Sequence, residues 1–578
     1  MLAAQVLPQE CDSDSPTAFT NPILPGWNSD PTCAFVAEWD DTTFCSTSSF
    51  MTIPGAPVYA SKDLVNWKLA SHAFSRPEQL PLLANEPTQL GGIWASSIRF
   101  HQGALYLITV YQSWEDNNPP NRLEKPQIVL FKTTDPYDDD AWSVPVIIEN
   151  PGKHIDPEIF WDGEKIYMLL AHGWLSEIDI KTGASTEPVQ IWEGLGGFSP
   201  EGPRLYRKDD HFYIMQAEGG TGANHSEVIA RSRDIWGPYE AFEGNAILTN
   251  RDTDEYFQNV GHADLFQDSK GDWWGVALTV RGGPASDIYP MGREMALFAA
   301  TWDESEWPVL EQVRGNMTGP LPARNTDIPG NGHFINSPDI VDFAPGSKIP
   351  SHFLWWRSRD DSLFEVSPAG HPNSLRISPS AINLTGPVAT TEYDLLKNPL
   401  AFVVRKQETT LFNYTVDVSF TPSVVEEEAG ISLFLNQLQH LDLGIVNLPA
   451  CGAKTAIPHL RFRVEASGKP DARVAETVVI PVPKTWLDGP ISLHISGVSD
   501  RDYTFGASPS LKPEEYVLLG AADGSVVSGG GGLFTGSLLG AYATNNGGKG
   551  TTPAYFSRWR YLPVAQQIGP DEFDPATK

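Results

Sequence analysis

The stretch His154-Ile155-Asp156-Pro157-Glu158-Ile159-Phe160-Trp161-Asp162-Gly163-Glu164-Lys165-Ile166-Tyr167-Met168-Leu169-Leu170 decides the fold. An acidic residue before proline opens an aliphatic and aromatic run. Asp162-Gly163 supplies a turn, and a second apolar run holding Tyr167 follows. Strand-favouring residues broken by Asp-Gly read as a hairpin. The same pattern recurs five times between residues 30 and 302. Its openings are Asp30-Pro31-Thr32-Cys33, Trp94-Ala95-Ser96-Ser97, Asp156-Pro157-Glu158, Glu201-Gly202-Pro203 and His262-Ala263-Asp264, separated by 64, 62, 45 and 61 residues. Helical periodicity is absent. Five repeats of several short strands predict an all-β chain with a five-bladed β-propeller over residues 15–314.

A propeller places equivalent positions of its blades on one ring around the axis. Asp30, Trp94, Asp156, Glu201 and His262 should therefore converge at one end of the channel, although they lie far apart in sequence. The second half lacks the repeat. A Pro- and Gly-rich stretch at 315–332 reads as a linker. Residues 333–562 hold alternating strands such as Asn413-Tyr414-Thr415-Val416-Asp417-Val418 and predict an antiparallel, jelly-roll-like β-sandwich. Residues 563–578 read as a loose tail.

Composition narrows the function. The 578 residues carry 40 Lys and Arg against 72 Asp and Glu, a formal charge of −32. Such a chain lacks the clustered cations that bind nucleic acid or anionic membranes. No apolar run is long enough to span a bilayer. The acidic runs Asp138-Asp139-Asp140 and Glu426-Glu427-Glu428 read as solvated loops, and Trp67 and Trp302 as blade packing. Of the 4 cysteines, Cys33 and Cys45 sit symmetrically about Trp39. In a hairpin they face each other, either as a disulfide or as two buried thiols. Sequons at Asn224, Asn316, Asn383 and Asn413 suit an extracellular protein, although the sequence as written opens with no signal peptide.

Carboxylates gathered at one site push each other's pKa values apart, so one stays protonated while another stays ionised. Glycoside hydrolysis needs that combination: an acid for the leaving oxygen and a base for water. In addition, Asn21-Pro22-Ile23-Leu24-Pro25-Gly26-Trp27-Asn28-Ser29-Asp30-Pro31, Gly92-Ile93-Trp94-Ala95, His154-Ile155-Asp156-Pro157, Pro200-Glu201-Gly202-Pro203, Ala217-Glu218-Gly219-Gly220-Thr221-Gly222, Val260-Gly261-His262-Ala263-Asp264 and Gly292-Arg293-Glu294 run in an order that resembles glycoside hydrolase family 43. The C-terminal half resembles the sandwich of that family's xylosidase/arabinofuranosidase branch.

The resemblance implies an inverting enzyme. Asp30 would be the general base, Glu201 the general acid, and Asp156 the residue that orients the acid and tunes its pKa. Trp94, Phe50, Arg293 and His262 would line the sugar pocket. His262 would also face a water-held metal, such as a structural calcium in the channel, although the chemistry itself requires no cofactor. Glu218 reads as structural. The expected substrate is plant cell-wall arabinoxylan, cut exo-wise to release terminal α-L-arabinofuranosyl units, β-D-xylosyl units, or both. The alternatives are a β-D-xylosidase acting on xylo-oligosaccharides and a non-catalytic carbohydrate-binding propeller. The base motif reads Asn-Ser-Asp-Pro, and Trp94 is followed by Ala-Ser-Ser, where the family usually has Pro before the Asp and Ala-Pro after the Trp.

Overall fold

The computed structural model describes residues 17–576, apart from 82, 84, 85, 87, 113–125, 387–398 and 451–454. Cys11 and Cys451 lie outside the described residues. Among the described residues there is no α-helix; strands are joined by turns and short 3-10 segments. Five four-stranded antiparallel sheets succeed one another in chain order. Their innermost strands are Thr32–Val36, Gly92–His101, Glu158–Asp162, Glu201–Lys208 and Phe257–Gln267. The fifth innermost strand starts before His262, and two register shifts, between Gln258 and Gly261 and between Gly261 and Asp264, re-aim it at that residue. Within the first sheet Cys33 and Cys45 are register partners and form a disulfide. Trp67 and Trp302 are buried, Trp302 against Tyr206, Tyr213 and Trp273.

The propeller is closed by its ends. Thr17–Thr20 pairs with Asn316–Gly319, and the Asn21 side chain binds the backbone of Leu297 and Arg314. The stretch expected as a linker is therefore partly a strand. Its remainder lies along the outer edge of the first blade, where the Lys68 ammonium donates to the carbonyls of Ile328 and Gly330. Proline and glycine leave these carbonyls without ladder partners, and a buried lysine supplies the donor.

Two packed sheets form the second domain. One runs in the order Phe364–Val366, Leu375–Ile377, Ala554–Gly569, Leu411–Ser419, Ile491–Gly497, Asp502–Pro509, Val517–Asp523. The other runs Phe402–Lys406, Leu538–Thr544, Glu428–Asn436, Gln439–Pro449, Ala456–Glu465, Val478–Pro481. Their inward faces share a core including Tyr414, Val416, Ile495 and Phe505 from one sheet and Ile431, Leu443, Phe462 and Leu539 from the other.

Two expectations are corrected here. The tail is ordered: Ala554–Gly569 runs past residue 563 and Glu572–Pro575 pairs back on it. It also straps the propeller, because Arg281 donates to Gln566 and to the Gln567 carbonyl, and Thr20 to Asp574. The run Glu426-Glu427-Glu428 is no solvated loop. Glu427 accepts the N–H groups of Ser423, Val424 and Thr552, and Glu428 pairs with Arg461 and Arg463, so both carboxylates are buried, the first satisfied by hydrogen bonds and the second by opposite charge. Asp138 and Asp140 are exposed as expected, while Asp139 accepts the His72 N–H at 2.7 Å.

One apolar core spans the domain seam. Trp27, Phe50, Met51 and Trp94 of the propeller cluster with Trp356, Phe402, Val404 and Phe434 of the sandwich. Thr52–Ile53 even pairs as a strand with Trp355–Trp356. At the seam, Arg405 is fully buried and forms ion pairs with Asp339 and Glu408, each at 2.8 Å.

Candidate active site

Asp30, Asp156 and His262 share an unusual backbone. Their φ values are +54°, +55° and +52°, and Gly202 completes the set at +58°. The chain thus makes the same left-handed step at the channel end of four blades. For an L-residue this conformation is strained, least for Asp and not for Gly. The step turns each side chain toward the axis. In the fourth blade Gly202 takes the strained position, so the acid precedes it as Glu201. Glycine is needed there for a second reason: a Cβ would stand 2.5 Å from His262 Cδ2.

Around this ring one pocket is lined by Asp30, Phe50, Trp94, Ala95, Ile155, Asp156, Glu201, Thr221, His262, Arg293 and Phe534. All seven residues expected from the sequence are brought together. Asp30 faces Arg293 Nη1 at 3.2 Å and His262 Nδ1 at 3.5 Å, and accepts from the Ser48 hydroxyl. Arg293 also donates to the Thr221 hydroxyl at 3.1 Å. Asp156 accepts the Gly202 N–H at 3.0 Å, which ties it to the peptide beside Glu201. The imidazole of His225, fully buried, lies 3.6 Å from Glu201.

The electrostatics separate the carboxylates. Burial alone raises all three. For Asp30 the Arg293 guanidinium, His262 and the hydroxyls of Ser48 and Ser29 outweigh burial, and its pKa falls below the ordinary aspartate value. For Glu201 burial is reinforced by the Asp156 and Asp30 charges, against the opposing pull of Arg293, and its pKa is raised well above the glutamate value. Asp156 is also raised, by burial and the charge of Asp30, against the Gly202 N–H, Arg204 and Arg293. The pocket therefore holds one carboxyl ready as a base and another ready as an acid.

Phe534 escapes sequence reading. It comes from the sandwich, stacks on Phe50 at 6.2 Å, meets Trp94 edge-on at 5.8 Å and lies under the Arg293 guanidinium at 4.9 Å. Its loop reaches the propeller through glycines. A Cβ on Gly292 would stand 2.6 Å from Gly536 Cα, and one on Gly536 would stand 2.3 Å from the Met291 carbonyl. The sequence signal was Leu533-Phe534 set in a run of glycines, apolar residues in an otherwise turn-like segment.

Calcium takes six to eight oxygen ligands. The channel carboxylates beneath the pocket, Glu158 and Asp264, are fully buried, but arginines already hold them. Arg99 lies 2.8 Å from Glu158 and 2.9 Å from Asp264, and Arg204 lies 3.4 Å and 3.9 Å from the same two. His262 adds only a ring nitrogen. This donor set does not fit calcium. At the seam, His333, Asp339 and His352 also lie close together. There the two rings stack at 4.1 Å, and Asp339 is already taken by Arg405 at 2.8 Å and His352 at 3.0 Å.

A five-bladed propeller that presents an ionised and a protonated carboxyl in one pocket has the equipment of a glycoside hydrolase. The chain belongs to glycosyl hydrolases family 43, whose family model matches residues 19–308. Residues 341–562 match the beta xylosidase C-terminal concanavalin A-like domain. Among curated relatives, the non-reducing end alpha-L-arabinofuranosidase BoGH43B of Bacteroides ovatus is 34% identical over 553 residues, covering 93% of each chain. A beta-xylosidase of Bacillus subtilis is 28% identical, covering 94% of this chain and 99% of its own. The solved structure named Bacteroides ovatus xyloglucan PUL GH43B superposes with a TM-score of 0.80 at 32% identity, covering 95% of this chain and 100% of its own.

Proposed function

We propose that this enzyme is an inverting, exo-acting hydrolase that removes terminal α-L-arabinofuranosyl units from arabinoxylan and its oligosaccharides, and β-D-xylosyl units where these end a chain. The observation that carries the reading is the opposed setting of Asp30 and Glu201 in one pocket. Asp30, held ionised by Arg293, takes a proton from water as that water attacks the anomeric carbon. Glu201, held protonated, gives its proton to the departing oxygen from the other face of the sugar. Asp156 orients Glu201 through the Gly202 peptide and keeps its pKa high. Phe50, Trp94 and Phe534 wall the pocket with apolar faces that exclude water and strengthen every charge interaction inside it. No step calls for a metal.

The names of the relatives support both pentoses, and arabinofuranose stands first because BoGH43B is named for it. β-xylosidase is the second reading. The Cys33–Cys45 disulfide supports an extracellular setting, since such bonds persist in oxidising compartments.

The test is the pentose released from defined arabinoxylan and xyloglucan oligosaccharides, with Glu201→Gln as control. Proton NMR of the first-formed anomer reports the stereochemistry. Arabinose released with inverted configuration supports the proposal. Xylose alone establishes the second reading, and a retained anomer overturns the roles given to Asp30 and Glu201.

A further inference from the structure

The loop that leads into Glu201 is built in an unusual way. Leu195 donates its N–H to the Glu218 carboxylate at 2.6 Å, and Glu218 itself is buried. Two glycines press onto that carboxylate. A Cβ on Gly194 would stand 1.9 Å from one of its oxygens, and a Cβ on Gly197 would stand 2.3 Å from the other. The loop closes with the Phe198 carbonyl accepting the Gly219 N–H at 2.9 Å. What this anchoring presents is the ring of Phe198, 78% exposed.

A single exposed aromatic is ordinary on a protein surface. The position of this one is not. It lies three residues before Glu201, and its ring stands 3.2 Å from where Gly220 would carry a Cβ. Thr221, the next residue, lines the pocket and holds Arg293. Phe198 therefore sits on the pocket rim, on the side of the acid. The acid protonates the oxygen of the bond being cut, so the sugar beyond that oxygen stands on this same side. Sugar rings present C–H faces that stack on aromatic rings, and sugar sites combine such apolar faces with a few placed polar groups.

We propose that Phe198 is the stacking platform for the leaving-group sugar, the pyranosyl unit of the main chain that carries the cleaved pentose. Glu218 is the positioning residue that holds the platform's loop. The inference rests on Glu201 as the acid, stated above. It adds a binding site on the far side of the scissile bond, outside the pocket that holds the released pentose.

The experiment compares two substrates of one enzyme. The first is an arabinoxylan oligosaccharide, which carries a leaving-group sugar. The second is the glycosyl fluoride of the same released pentose, whose leaving group is a single atom. For Phe198→Ala the ratio of kcat/KM, oligosaccharide over fluoride, is expected to fall about tenfold. Phe198→Tyr keeps the ring and the ratio, and Glu218→Ala lowers the ratio in the same direction by loosening the loop. An unchanged ratio in Phe198→Ala, or an equal loss on both substrates, overturns the proposal. Wild-type enzyme inactive on both substrates overturns the hydrolytic reading itself, and the platform with it. That result is read before any variant is made.

Discussion

Asp30 carries two burdens, a strained left-handed backbone at φ +54° and a carboxylate that must stay ionised while buried. The strain is of the order of 1 kcal/mol, which Asp tolerates better than most residues. The ionisation is secured by Arg293 and the hydroxyl of Ser48. Asp30→Ala removes the base and is expected to lower kcat by roughly 10²–10⁴-fold, measured at saturating substrate. Asp156 acts differently. Its negative charge opposes ionisation of Glu201, so removing it lowers the Glu201 pKa. With Glu201 as the proposed acid, activity requires it protonated, and the alkaline limb of the kcat/KM profile follows that pKa. Asp156→Asn is therefore expected to move this limb toward lower pH by roughly one unit, while the acidic limb, set by Asp30, stays. An unmoved alkaline limb would sink the tuning role.

At the scale of elements, the pocket depends on loops from both domains. Phe534 rests on Phe50, Trp94 and Arg293, so Phe534→Ala opens one wall and takes the ring away from the Arg293 guanidinium, which keeps its bond to the residue 534 carbonyl. The expected result is a KM about tenfold higher with a smaller fall in kcat, read on an oligosaccharide substrate. The blades were legible because each repeats strand, turn and strand with an acidic or aromatic residue at its start. Asp30, Asp156, Glu201 and His262 were legible because one phase of a fivefold repeat must meet at the axis. Phe534 was not, because its neighbours in space lie some 240 residues or more away in sequence and no period links them. The loop at 315–332 misled for a related reason. Proline and glycine signal the absence of ladder bonds, but they do not reveal that Lys68 binds the carbonyls left without ladder partners. Glu428 misled because a carboxylate between two arginines across a sheet looks, in sequence, like any acidic run.

At the scale of the whole molecule, the seam is held by a shared core, and a buried charge cluster lies on its sandwich side. Arg405 sits between Asp339 and Glu408 and lies under Tyr561. Against the raising effect of burial, the guanidinium and the neighbouring histidines hold Asp339 below its ordinary value and Glu408 down to about 2. Both folded values lie below those of the unfolded chain, about 4. Their contribution to stability is thus complete above the unfolded values and is lost as pH falls toward 2. Arg405→Met leaves two buried carboxylates unmatched and is expected to destabilise by roughly 3–5 kcal/mol at neutral pH. It should also flatten the fall in Tm between pH 5 and about 3, and thermal melts across that range check both. The placement of Phe534 has a consequence in time as well as in space. A ribosome finishes the base and the acid long before it reaches residue 534, and the strap at 554–575 follows later still. A nascent chain can hold all five blades and both carboxylates and still lack the wall that Phe534 supplies, so the sugar pocket closes only after the chain has passed residue 534.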